Sequence, residues 1–258
     1  METLYKEDTS QGYVCMKEAS LLSIQVGLPK TIVRTEKTDI IDKPWTSGIF
    51  KTAVSGKVWL SELNLDGDAQ ANLKAHGGPH RAVNVYPSEH YLYWKQDLHL
   101  SDMPYGGFGE NFTTQGLLED EVCIGDVFKV GDAIVQVSQP RQPCRNLSRR
   151  WQIKDLPQRV RHTGKIGWYL RVLQEGYVES GNDLILIERL FPQWTVAKAN
   201  LIMQYRRTNF LAAQTLSRCP ALSPDWKKNL SIAKQFSELI CFWDYRLWVK
   251  VFKYVMER

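Results

Sequence analysis

Cysteine is sparse and unpaired in this chain of 258 residues. The five cysteines, Cys15, Cys123, Cys144, Cys219 and Cys241, are odd in number, and no two are spaced as CxxC. That argues against a disulfide framework or a structural zinc site and leads us to expect a reduced, cytoplasmic setting. The histidines are His76, His80, His90, His99 and His162, with no HExxH or His-x-His pattern among them. A zinc or iron site built from side chains alone therefore has no support. No apolar run approaches the ~20 residues of a membrane span. The opening Met1–Asp8 lacks the basic-then-apolar pattern of a signal peptide. Internal repeats, low-complexity segments, and P-loop, dinucleotide, flavin, haem or iron–sulfur signatures are absent as well.

What remains is an ordinary globular composition, 43% hydrophobic and 24% charged, enough for one sizeable domain plus a small one. The net charge of +5 is uneven: from Thr195 onward there are 11 Lys/Arg against 4 Asp/Glu. That basic tail either meets an anionic partner or is the solvated face of ordinary helices, and the second reading is the simpler.

Residues 1–19 are polar and aperiodic and read as an extension. Leu21–Val26 predicts a first strand. Gly48–Val54 and Lys57–Leu60 predict a hairpin on the Ser55-Gly56 turn, and Ala82–Tyr86 another strand. Pro87 opens an expected helix to Leu98. Asp126–Val130 and Ala133–Ser138 predict a hairpin on Gly131-Asp132. Residues 145–163 read as helical pieces broken near Pro157, and Ile166–Leu173 and Asp183–Glu188 as strands. Short strands with regular turn signals up to Phe191 point to a mainly-β barrel or sandwich carrying a few helices. After Pro192 the pattern becomes helical, with Thr195 and Thr208 as N-caps and a third start at Ser223-Pro224-Asp225. The division expected is an extension over 1–19, a β domain over 20–192, a helical module over 193–240 and an amphipathic helix over 241–258. On that last helix Arg246, Lys250, Lys253 and Glu257 would share one face.

The densest chemistry lies at Cys144, in Ser138-Gln139-Pro140-Arg141-Gln142-Pro143-Cys144-Arg145. The alternating run Ala133–Val137 delivers this thiol into a proline-stiffened turn, and Arg141 and Arg145 favour the thiolate, which attacks electrophiles or binds soft metals. A buried cysteine at a strand end is the plain alternative. Two glycine-rich passages accompany it. In His76-Gly77-Gly78-Pro79-His80-Arg81, a tight turn with outward N–H groups between His76 and Arg81 would suit an anion; a surface turn is the plainer reading. In Gly106-Gly107-Phe108-Gly109-Glu110-Asn111, glycines permit close approach to a ligand and Asn111 offers both donor and acceptor; a flexible loop is the alternative. From Arg141 to Arg171 the chain holds nine Lys/Arg against the single acid Asp155, a supply of phosphate-neutralising charge.

These motifs, with Tyr86-Pro87-Ser88-Glu89-His90-Tyr91, Gly116-Leu117-Leu118-Glu119-Asp120 and Gly125-Asp126-Val127-Phe128, occur in one order. From Leu21 to beyond Leu230 the sequence resembles the YiiM type of MOSC-domain proteins. The resemblance implies a β-barrel that binds molybdenum cofactor, followed by a three-helix module similar in layout to a helix-turn-helix. It implies that Cys144 coordinates the metal and that Asn111 lies near the pterin. Phe108, Gly109, Gly77 and Gln139 belong to the same cofactor cradle, with Arg81 and Arg141 on the cofactor phosphate. His76 would bond the pterin or pass a proton, and Glu110 would orient Asn111 or act as an acid. The activity implied is a detoxifying reduction of N-hydroxylated compounds such as hydroxylaminopurines to amines, with electrons from a separate reductase, in a homodimer. Two other readings compete. One is sulfur or cofactor delivery through a Cys144 persulfide; the other, the least favoured, is nucleic-acid binding by the basic helices.

Overall fold

The computed structural model describes residues 19–34 and 43–231. Its centre is an eight-stranded sheet ordered β12-β8-β9-β10-β6-β7-β1-β4. In chain order these are β1 Ser20–Val26, β4 Thr52–Val54, β6 Val83–Pro87, β7 Phe112–Gln115, β8 Val127–Val130, β9 Ala133–Pro140, β10 Trp168–Gln174 and β12 Leu184–Glu188. All neighbours are antiparallel except β6 and β7. Two small ladders flank the sheet: β2 Lys30–Ile32 with β3 Trp45–Ser47, and β5 Val58–Leu60 with β11 Gly176–Val178. Alternation sets the faces, since Ala133, Val135 and Val137 of β9 are buried while Ile134 and Gln136 between them are only partly so.

The expected closed barrel is not found among the described residues. The sheet is open, and with its helices the architecture is mixed α/β. The approach of β12 to β1 is limited to one bridge, Ser20 with Asp183, flanked by Leu21 N–H to Asn182 O (2.9 Å), Gly181 N–H to Leu21 O (2.7 Å) and Leu184 N–H to Ala19 O (2.8 Å). Strand β4, three residues long, ends the sheet beyond β1 and has no ladder with β12. The hairpin expected over Gly48–Leu60 is also corrected. Its two halves join different ladders, β4 pairing with β1 and β5 with β11. Gly56, at φ 77°, turns the chain between them.

The helices are α1 Leu73–His76, α2 Glu89–Asp97, α3 Arg145–Trp151, α4 Leu156–Thr163, α5 Val196–Gln204 and α6 Phe210–Ser217, followed by a helical segment over 224–231. Pro87 closes β6 instead of opening α2, and Pro157 sits in the first turn of α4. The break between α3 and α4 falls at Gln152, which is left-handed at φ 58°. Thr195 caps α5 by accepting from Lys198 N–H (3.1 Å), whereas Asn209, not Thr208, caps α6 through Ala212 N–H (3.3 Å). Val196, Ala199, Leu216, Leu222, Trp226 and Leu230 join the same buried core as the sheet residues. No described helix is long and apolar enough to cross a membrane. The expected extension, apart from Ala19, and the helix over 241–258 lie outside the described residues, as do Cys15 and Cys241.

Candidate functional site

Strand β9 ends in the buried Ser138, Gln139 and Pro140, the buried Arg141 follows, and the chain then crosses to α3, whose N-cap is the partly buried Cys144. Arg141 is fixed before it can reach solvent. Its N–H donates to Gly167 O (3.1 Å) and its Nη2 to Phe108 O (2.7 Å), while its buried Nη1 has no partner. His76, the last residue of α1, lies beside the Cys144 sulfur, close enough to favour its thiolate form. Burial pushes the Cys144 thiol up, but the neighbouring His76, the charge of Arg141 and the Asn146 N–H outweigh it, and the net direction is down. Cys123 and Cys219, the other two described cysteines, are both pushed up by burial. Cys144 is thus the thiolate former among the three.

Tyr169 completes this group and was not foreseen from sequence. It lies on β10 opposite Gln139, is 9% exposed and sits near the Arg141 guanidinium. Burial raises its hydroxyl, with the charges of Arg141 and Arg81 opposing. Only the β9–β10 register places it here. His76, Arg141, Cys144 and Tyr169 therefore converge as one site, with a thiolate-favouring sulfur beside a buried guanidinium.

The glycine loop reaches that site through Phe108 O, the acceptor of Arg141 Nη2. Glu110 is fully buried: its Oε1 accepts from Gly106 N–H (2.6 Å), Thr113 Oγ1 (3.1 Å) and the Tyr91 hydroxyl, and its Oε2 from Phe108 N–H (3.0 Å). A carboxylate so enclosed holds a loop together. The Asn111 amide is spent in the same way, Oδ1 accepting from Asn84 N–H (3.1 Å) and Nδ2 donating to Gln25 O (3.2 Å). Phe108 is wholly buried and stacks on Tyr86 with centroids 4.2 Å apart. Gly109 is left-handed at φ 77°, where a Cβ would lie 2.8 Å from Ile49 Cγ1. Arg150 Nη1 donates to Gly106 O (2.7 Å) and Trp151 Nε1 to Gly107 O (2.8 Å), so α3 clamps the loop that follows α2.

The other expected contacts are engaged elsewhere. Gly77 N–H is spent on Leu73 O (3.0 Å) and Arg81 N–H on Gly78 O (2.9 Å), so the turn does not present a row of free donors. Arg81 Nη2 pairs with Asp225 Oδ2 (2.6 Å), and Gln139 Oε1 accepts from Ser223 Oγ (2.7 Å). The basic run disperses as well. Arg150 holds the loop, Arg159 pairs with Asp155 (2.9 Å) and Asp97 (3.2 Å), and Arg171 donates to Gln136 Oε1 and Ala221 O. Among the described residues no three His, Cys, Asp or Glu side chains come together as a metal-binding group. Cys144 is the sulfur this site offers.

The MOSC domain profile matches residues 72–184, the stretch that contains all four converging residues. Over 222 residues the chain is 38% identical to protein YiiM of Escherichia coli, covering 84% of this chain and 97% of that one. It is 41% identical over 208 residues to the uncharacterized protein YflK of Bacillus subtilis, covering 81% and 91%. A protein of Gibberella moniliformis named reductase is 35% identical over 193 residues, which are 74% of this chain and 34% of that longer one. The crystal structure of YiiM from Geobacillus stearothermophilus superposes with a TM-score of 0.70 at 39% identity, over 83% of this chain and 98% of that one.

Proposed function

The chain belongs to the YiiM family of MOSC-domain proteins, and on that premise we propose that it is a molybdenum-cofactor-dependent reductase of N-hydroxylated compounds, hydroxylaminopurine-type base analogues among them. The observation that carries the reading is Cys144 itself, a thiol biased toward thiolate beside a buried guanidinium nitrogen that lacks an acceptor. A soft thiolate suits molybdenum, and an orphaned Arg141 Nη1 suits an anionic group such as the pterin's dithiolene or phosphate. The residues present therefore fit the cofactor. A relative named reductase supports the oxidoreductase class.

When bound, the cofactor supplies the two-electron chemistry that no side chain offers. Overall, R–NHOH, two electrons and two protons give R–NH2 and water, the electrons coming from a separate reductase. The chain's own part is positional and electrostatic. Cys144 Sγ would be the metal ligand, His76 beside it favours the anionic sulfur, and Arg141 would hold negative charge where water is excluded. Glu110 and Asn111, expected at the cofactor, hold the loop that presents Phe108 O to Arg141.

The test is metal and pterin content of the chain and of Cys144→Ala, purified under reducing conditions from a host that makes the cofactor. Near-stoichiometric molybdenum and pterin in the wild type, depleted in the variant, with reduction of 6-hydroxylaminopurine by a chemical reductant, is the expected result. Absence of both in the wild type would overturn the reading and turn attention to persulfide transfer by the same thiolate.

A further inference from the structure

The helical segment 224–231 starts from a loop that is tied to the strand carrying the site. Ser223 is 1% exposed. Its hydroxyl donates to Gln139 Oε1 (2.7 Å), its N–H donates to Ser138 O (3.0 Å), and its oxygen accepts from Trp226 N–H (3.4 Å). One hydroxyl thus caps the helical segment and grips β9 at once. Two residues on, Asp225 accepts from Arg81 Nη2 (2.6 Å), and two residues back, Ala221 O accepts from Arg171 Nη2 (2.6 Å). The three partners lie on β9, on the 3-10 turn Pro79–Arg81 and on β10.

These ties end at the site. Gln139 pairs across the sheet with Tyr169, and Ser138 Oγ has two acceptors in reach of its one proton, His80 O (2.6 Å) and Tyr169 O (3.1 Å). Arg81 follows His80 in the 3-10 turn, so the Asp225 pair and the Ser138 bond hold that turn together against the strands that carry Gln139 and Tyr169. Asp225 is 61% exposed against 14% for the Arg81 side chain. A pair with one partner so exposed adds little to global stability. What it does is hold one guanidinium in one direction.

We propose that Ser223 and Asp225 are positioning residues of the Cys144 site, so that the C-terminal helices are part of the site's support and not an independent head. The proposal rests on the reductase reading for its activity readout, and on Cys144 reactivity alone for the other. Partners in such outer positions typically carry 10–100-fold in metal affinity or activity. In the full chain, Asp225→Ala is expected to keep the wild-type melting temperature while cofactor retained after dialysis, or kcat/KM for 6-hydroxylaminopurine, falls roughly tenfold. Asp225→Glu and Ser223→Thr, which keep the bonding groups, are expected to restore most of it. In cofactor-free protein at one fixed pH, the rate of Cys144 alkylation by iodoacetamide should change several-fold in Asp225→Ala and Ser223→Ala. Should Ser223→Ala fail to fold, the exposed Asp225 decides the matter. Wild-type alkylation rates together with wild-type cofactor retention in Asp225→Ala overturn the proposal. A wild type that takes up no molybdenum overturns the reductase reading instead, and the alkylation rates still judge the positioning.

Discussion

Replacing Glu110 with glutamine separates a catalytic acid from a loop clamp. The carboxylate is fully buried and accepts from four donors, the Gly106 and Phe108 N–H groups and the Tyr91 and Thr113 hydroxyls. Glutamine keeps the shape but has one acceptor oxygen. With that oxygen on the three-donor side, three charge-assisted bonds become neutral, each losing about 1 kcal/mol. The new NH2 faces Phe108 N–H, donor against donor, at a cost of about 1–3 kcal/mol. Relief of carboxylate desolvation offsets part of this. The net expectation is a loss of about 3 kcal/mol, or roughly 6–12 °C in melting temperature for a chain of this size. Urea unfolding with a common m-value for both proteins measures it. Glu110→Gln with an unfolding free energy within about 0.5 kcal/mol of wild type, the change expected of an uninvolved surface position, and with abolished activity would refute the clamp and return Glu110 to the role of acid.

Iodoacetamide alkylation of Cys144 should persist to lower pH than for an ordinary thiol, and His76→Ala should move the profile to higher pH. Because its folded-state value is depressed, the Cys144 thiol contributes stability above the unfolded thiol's value that is lost as pH falls through the folded one. The stability difference between wild type and Cys144→Ser, measured by urea unfolding, should narrow accordingly toward low pH. The buried pair Lys51–Asp68 predicts a loss of about 3–5 kcal/mol for Asp68→Asn, since an uncompensated charge remains; burial already lowers Lys51 and Asp68 opposes that. The double variant Lys51→Met/Asp68→Leu should lose less, and a thermal melt of the three proteins checks the order. Gly167→Ala should cost more than about 2 kcal/mol by the same melt, because φ is 70° and the added Cβ would lie 2.2 Å from the backbone oxygen of Val85, which cannot step aside.

Most local signals in the chain read correctly, Pro87 and the Thr208 cap excepted. Gly131-Asp132 between two alternating runs is the β8–β9 turn, and Thr195 is the α5 cap, because turn conformation and capping involve atoms only a few residues apart. Cys144 was legible for the same reason, since its strand, its prolines and Arg141 are neighbours in sequence. The Gly48–Leu60 hairpin misled because a turn between two apolar runs does not say which strands will pair with them. Glu110 and Asn111 were ambiguous because a carboxylate and an amide beside glycines serve a ligand or a loop equally well, and only the structure shows the loop bonds they make.

The sequence by itself determined where the thiolate-favouring cysteine sits, the motif order that marks the family, and most strand and helix positions, since these rest on alternation, caps and turn residues. Tertiary structure alone decided that the sheet stays open, that Glu110 faces inward, and that His76 and Tyr169 meet Cys144 while Arg81 and Gln139 are held by the C-terminal helices. Those outcomes depend on which distant strands share a register and which polar groups are enclosed when the common core closes, and no short-range pattern carries that information.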